Sequence, residues 1–223
     1  LVIFYISILY IDFQMKINKD TKIFASFSLK AGNNGCLFFN KKFKENKLNA
    51  IYKSFCVKSI KDAVEAAKTL SFSGFAVSMP FKTEILKNVD EISEEAKEIG
   101  AANTVIIINN KLIAYNTDYI AIQETLRNIT KDIIIIGNGG FSKAAQYACK
   151  NLKKNYVIID RNNWNVLKDL KNCIVINCTP VENIKFNKSQ KITFIDGVPH
   201  TKSGKKLAKI QAEHQFNIYK ELI

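Results

Sequence analysis

The stretch Phe75-Ala76-Val77-Ser78-Met79-Pro80-Phe81-Lys82 places a hydroxyl and an amine directly after an apolar run. Gly74 opens that run and Pro80 stops it, because proline is disfavoured inside a strand but suits the first turn of a helix. The pattern predicts a buried strand, with the next element starting at Pro80. Ser78 and Lys82 then fall at and just beyond the carboxyl end of the strand, where open α/β sheets place ligand-contacting groups. The plain alternative is a surface lysine in a lysine-rich chain.

A second chemical signal lies further on. Ile133-Ile134-Ile135-Ile136 is a continuous apolar run of the kind buried on both faces of a sheet, and Gly137-Asn138-Gly139-Gly140 follows at once. A strand, a glycine turn and a helix carrying Lys143-Ala144-Ala145 make a phosphate site, because bare backbone N–H groups point at the ligand from a helix N-terminus. A further strand, Tyr156 to Asp160, comes one crossover later, which favours dinucleotide binding over a plain tight turn. Asp160-Arg161 close that strand where an adenosine ribose would lie. An acid there suits a free 2′-hydroxyl and an arginine suits a 2′-phosphate, so the pair leaves both open.

The elements that must position these groups follow the hydrophobic pattern. Lys22 to Ser28 reads as a first strand, Ala31 to Gly35 as a loop, and Leu37 to about Asn46 as a helix. Ile51 to Val57 is a second strand. Ser59 is the N-cap of a helix whose apolar face is Ile60, Ala63, Val64, Ala67 and Leu70. With Phe75 to Ser78 this gives βαβαβ, hence parallel pairing. Two helical pieces follow Pro80, the second (Ile92 to Ile99) stopped by Gly100. Val105 to Ile108 and Leu112 to Tyr115 form a hairpin around Asn109-Asn110. Asn116-Thr117-Asp118 opens a helix to Arg127. Beyond Arg161 come a small helix around Val166 to Leu170, strands Ile174 to Cys178 and Ile192 to Asp196, and a helix from Lys205 to Tyr219.

Composition narrows the class. The 223 residues are 47% hydrophobic with only 3 prolines, enough for one large domain or two small ones and against wholesale disorder. The 5 cysteines and 2 histidines have no metal-site spacing, so no metal is expected and the thiols read as reduced, in a cytoplasmic protein. A net charge of +13 could serve nucleic acid or anionic small molecules. The lysines are dispersed and mixed with acids and no nucleic-acid-binding signature accompanies them, which favours an anionic small-molecule ligand over nucleic acid as the main partner. Residues 1–14 are apolar but too short to span a membrane and lack a signal-peptide pattern. They read as an extension ahead of Met15, with a membrane-attached or partner-bound tail as the alternative, and no membrane partner is expected for the rest.

Together the blocks Val77 to Lys82, Ala101-Ala102-Asn103-Thr104, Tyr115-Asn116-Thr117-Asp118-Tyr119-Ile120-Ala121-Ile122 and Gly137 to Gly140 resemble the shikimate dehydrogenase family, specifically its shikimate-5-dehydrogenase-like branch. The resemblance runs from Ile17 to Tyr219. It implies an α/β fold with an N-terminal substrate-binding domain and a Rossmann-like NAD(P)-binding domain, and an NADP-dependent alcohol dehydrogenase acting on shikimate, 3-dehydroshikimate or an analogue such as quinate. NAD is the other cofactor it allows, and monomer and homodimer are both allowed. By position, Lys82 and Asp118 match the family's catalytic pair. Oxidising an alcohol means removing a proton as the hydride leaves, and a lysine beside a carboxylate in a closed cleft can relay it. Ser26, Ser28, Ser78, Asn103 and Gln211 match substrate-holding groups. Gly137, Asn138, Gly139, Gly140, Asp160, Arg161 and Thr179 match the cofactor side. Asn103 and Ser78 also suit backbone capping, and Gln211 a solvated helix face.

The chain departs from the family in three places. Phe39-Asn40 stands where His-Asn is usual. The span from Arg161 to Asn177 lacks room for the usual strand and helix, since a parallel crossover alone takes about a dozen residues. After Asp196-Gly197-Val198-Pro199 a tyrosine and a helix are missing. The expected division is therefore a substrate domain over residues 15–117, a linker helix and reduced cofactor domain over 118–203, and a C-terminal helix over 204–223 returning to the substrate domain.

Overall fold

Alternation of apolar residues along Lys22–Ser28 (β1) sends Phe24 to one face of a sheet and Ala25 and Phe27 to the other. The structure is a computed structural model that describes residues 17–223, so the reading of residues 1–14 lies outside it. After β1 come Asn34–Glu45 (α1), Ala50–Cys56 (β2), Ile60–Thr69 (α2) and Gly74–Val77 (β3). β2, β1 and β3 pair in parallel, as the βαβαβ pattern requires. Glu91–Ile92 (β4), Glu94–Ile99 (α3), Thr104–Ile108 (β5) and Lys111–Tyr115 (β6) complete a 6-stranded sheet in the order β2-β1-β3-β5-β6-β4. Its far half is mixed, because β5 runs antiparallel to both β3 and β6. The hairpin turns on Asn109 and Asn110, both at positive φ (51° and 63°), as two asparagines permit. α2 covers one face, where Ile60, Val64 and Ala67 meet Phe27, Phe75 and Val105. Ser59 caps α2 by accepting from Asp62 N–H at 3.2 Å.

The second sheet is built on Ile133–Ile136 (β7), buried at every position. Asp118–Leu126 (α4) precedes it, and Gly140–Asn151 (α5), Tyr156–Ile159 (β8), Ile174–Asn177 (β9) and Thr193–Asp196 (β10) follow. The 4-stranded parallel sheet has the order β10-β9-β7-β8. A doubly wound dinucleotide fold runs 3-2-1-4-5-6. The order here corresponds to its central four, with the outermost strand lacking on each side among the described residues. Ile133 and Ile135 face α4 and α5, while Ile134 and Ile136 face a layer of loop and 3-10 residues: Trp164, Leu167, Ile184 and Phe186. The crossover from β8 to β9 holds only the short 3-10 helix Trp164–Asp169. The domain is Rossmann-like but reduced, and among the described residues one face is covered by loops and a 3-10 helix rather than by α-helices.

Lys202–Lys220 (α6) joins the two sheets. Leu207 packs in the second core, while Phe216 and Tyr219 pack in the first with Phe24 and Phe43. Tyr219 and Phe24 lie 4.5 Å apart between ring centroids. Among the described residues no helix is long and apolar enough to cross a membrane.

Several boundaries differ from the sequence pattern, among them the start of α6, which is Lys202 rather than Lys205. α1 starts at Asn34, inside the expected loop. Pro80 begins no helix: the Met79–Pro80 peptide is cis, and Phe81 N–H closes a turn onto Ser78 C=O at 2.9 Å before the 3-10 helix Glu84–Lys87. Ile92 is not helical but pairs with Ala114 in β4–β6. The small helix around Val166 is 3-10 rather than α, because the short crossover gives it no length to wind.

Candidate active site

Lys82 lies five residues beyond β3, and its carbonyl accepts from Ala102 N–H at 2.7 Å, which ties the turn to the approach of β5. Val77 N–H donates to Asn103 C=O at 2.8 Å, and Asn103 N–H donates to Tyr115 C=O at 3.0 Å. These bonds bring the end of β3, the start of β5 and the end of β6 to one place. Asp118 opens α4 directly after β6, where an acid is favoured by the helix dipole. Asn116 caps that helix from two residues upstream. Its Oδ1 accepts from Asp118 N–H at 3.0 Å, and its Nδ2 donates to Ala101 C=O at 2.9 Å.

The result is an ion pair with its carboxylate fully engaged. Lys82 Nζ lies 2.6 Å from Asp118 Oδ2. Asn103 Nδ2 donates to Asp118 Oδ1 and to Thr117 Oγ1, both at 3.0 Å. The Asn103 side chain is itself oriented, since its Oδ1 accepts from Thr117 N–H at 2.8 Å and Thr104 Oγ1–H at 2.9 Å. Side-chain exposure is 18% for Lys82 and 5% for Asp118, so removing either partner would strand a largely buried charge. Asn103 thus does more than cap a turn: it fixes the second oxygen of Asp118.

The serines sit at the same edge. Ser26 and Ser28 share the α1 face of β1 with Phe24 by strand alternation. Ser26 Oγ donates to Ser54 Oγ at 2.9 Å, and Ser26 also bonds the buried Tyr52 hydroxyl, whose pKa burial pushes up. Ser28 is buried at the carboxyl end of β1. Ser78 is exposed, with its N–H on Phe27 C=O at 3.0 Å. Asn40 holds α1 to the edge of β2 by two bonds to the Tyr52 backbone, at 2.8 and 2.9 Å. Phe39, the residue in place of histidine, stacks on the Tyr52 ring with centroids 4.4 Å apart.

Gln211 bonds Gln215, which the sequence pattern did not single out. Gln211 Nε2 donates to Gln215 Oε1 at 3.1 Å. Gln215 is 2% exposed and donates to Asn103 C=O at 3.2 Å and Thr104 Oγ1 at 2.9 Å. Its signal was its place four residues after Gln211, on the same helix face. Asn116, Phe141 and Cys178 were likewise missed. Cys178 ends at the same edge, its thiol pushed up by burial and then by the Asp118 charge.

On the cofactor side, the glycine turn stands at the carboxyl end of β7, between β8 and β9, where strand order reverses. Gly137 has φ +106° and packs under Thr179, whose Cγ2 would lie 2.8 Å from a β-carbon there. Gly139 is the N-cap of α5 with no side-chain cap, and nothing lies within 4 Å of a β-carbon built on it. That open, uncapped helix N-terminus fits a phosphate group. Asn138 is exposed beside it. The Thr179 hydroxyl bonds Asn177 Oδ1 at 2.7 Å and so serves its own loop. Asp160 Oδ1 accepts from Asn162 N–H at 2.8 Å, whereas Arg161 is exposed. The two candidates at the ribose position are therefore not equally free.

Two α/β sheets, a glycine turn at the N-terminus of α5 and a largely buried Lys–Asp pair packed against that turn define a Rossmann-like protein with a second α/β sheet. The family model described as the shikimate dehydrogenase substrate binding domain matches residues 35–105. The shikimate dehydrogenase-like protein of Haemophilus influenzae is 40% identical over 139 residues, which is 60% of this chain and 51% of that protein. The shikimate dehydrogenase (NADP(+)) of Methanococcus maripaludis is 46% identical over 124 residues, covering 52% of this chain and 43% of that protein. These matches span about half the length of the curated relatives. The solved structure of a shikimate 5-dehydrogenase-like protein superposes with a TM-score of 0.77 at 30% identity, covering 92% of this chain and 93% of the other. The chain belongs to the shikimate dehydrogenase family.

Proposed function

We propose that this chain is an oxidoreductase that interconverts shikimate, or a close analogue such as quinate, with its 3-keto counterpart, using NADP. The observation that carries this reading is the 2.6 Å Lys82–Asp118 pair with Asn103 on the second carboxylate oxygen. In the oxidation direction Lys82 first releases its extra proton to solvent, and the neutral amine then takes the substrate hydroxyl proton as the carbon gives up hydride. In reduction the pair returns the proton to the carbonyl oxygen. Asp118 holds the amine in place, and Asn103 and Thr117 hold Asp118. Ser26, Ser28, Ser78 and Gln211 are assigned to the substrate carboxylate and ring hydroxyls. The bound nicotinamide cofactor supplies the hydride acceptor. Gly137, Asn138, Gly139 and Gly140 would hold its pyrophosphate, with Thr179 at the crevice wall. The exposed Arg161 favours a 2′-phosphate and hence NADP over NAD, since Asp160 is partly spent on its own turn. The test is the reduced-nicotinamide absorbance that appears when purified protein, NADP and shikimate or quinate are mixed. No turnover with either alcohol and either nicotinamide cofactor would overturn it.

The 4-stranded sheet, with one face covered by loops and a 3-10 helix, favours one second reading, a homologue that binds the shikimate-like ligand without efficient turnover. Calorimetric titration separates the two. Shikimate binding without dinucleotide binding supports the second reading and contradicts the first.

A further inference from the structure

Lys82 has a neighbour besides Asp118. The Phe141 ring centroid lies 5.6 Å from Lys82 Nζ. Phe141 is the second residue of α5 and so continues the same backbone turn as Gly139 and Gly140. Its seat is a notch at Gly197, just past β10: a β-carbon on Gly197 would come within 2.8 Å of Phe141 Cε1 and 2.6 Å of Asn177 O. An ammonium within about 6 Å of a ring centroid is drawn to the π face, and more strongly where water is excluded. The Lys82 side chain is only 18% exposed. A branched aliphatic side chain would fill the same notch without that attraction.

We propose that Phe141 is a positioning residue for Lys82. Seated in the notch at Gly197, its ring holds the ammonium on the cofactor side of the Asp118 carboxylate. The contact is a property of the fold, and its consequence for turnover rests on the proposed function. Because the ring of Phe141 lies against the lysine ammonium, its loss should act on kcat and spare the substrate KM.

Two measurements on the full chain test this. In protein labelled with 13C-lysine, the Lys82 methylene signals, assigned through Lys82→Arg, should carry an upfield ring-current shift. Phe141→Leu should abolish the shift and Phe141→Tyr should keep it. In shikimate-dependent NADP reduction, Phe141→Leu should lower kcat about tenfold, the scale of one desolvated cation–π contact. Its KM should stay within about twofold, and Phe141→Tyr should recover most of the loss. Absence of the shift in the unmodified protein overturns the proposal. So does a Leu variant that turns over as the unmodified protein does. If the unmodified protein shows no turnover, the functional reading fails and the ring-current comparison decides alone: a shift kept by Tyr and lost by Leu supports the proposal, and one unchanged in Leu overturns it.

Discussion

Gly140 lies against the stem of Lys82: a β-carbon on Gly140 would sit 2.9 Å from Lys82 Cβ and 3.3 Å from Ala101 Cβ. The glycine turn and the lysine are thus packed face to face, although 58 positions in the chain part them (140 less 82). Neither neighbour is the free end of a flexible side chain, so a methyl group there must move backbone. We expect Gly140→Ala to lower kcat/KM at least about tenfold and to cost about 1–3 kcal/mol of stability. Steady-state assays and urea unfolding check both, and full activity would show that this approach is not needed.

Gln215 couples α6 to the site through Asn103 and Thr104. Gln215→Leu takes the donor from the buried Thr104 hydroxyl and the second of two donors from the Asn103 carbonyl, which keeps Val77 N–H, a cost of about 1–3 kcal/mol. Because Asn103 also orients Asp118, kcat should fall with stability. Gln211→Leu, at a half-buried position, should instead raise the substrate KM with a smaller stability loss. Identical effects from the two variants would contradict this division.

Much of this site was legible because its signals are local. Lys82 follows a strand–proline boundary, Asp118 opens a helix after a hairpin, and the glycine turn is bracketed by strand and helix. What was not legible depends on pairing between distant segments. Gln215 reads as one polar position among Glu213 and His214 until α6 is laid across β5. Phe141 reads as a helix residue until β10 brings Gly197 beneath it. The turn at Pro80 was misread because a proline after a strand fits a helix start and a tight turn equally well. The shortened crossover was visible as a missing length of chain, but the loop layer that replaces it came only with Trp164, Ile184 and Phe186 packed on β7.

Alkali should weaken the fold from a definite point. Burial pushes the Cys149 thiol up from 9.0 to about 11 and pushes up Cys178, Tyr52 and Tyr219 as well. Each folded form keeps a proton that the unfolded chain gives up more readily. The contribution of Cys149 is therefore intact below about pH 9 and is lost as pH rises through about 11. Urea midpoints should be level from about pH 7 to 9 and fall above it. A level profile to about pH 11 would contradict the buried, protonated assignment.

The central claim is that Lys82 and Asp118 act as one proton-relaying unit, and a double-mutant cycle in kcat/KM tests it most directly. With shikimate and NADP, Lys82→Ala and Asp118→Ala should each lower kcat/KM by about 10²–10⁴-fold, the range for a positioned acid–base group. The double variant should be little worse than the more damaged single one, as for residues that act together. Undiminished activity in either single variant, or losses that simply multiply in the double, would contradict the account.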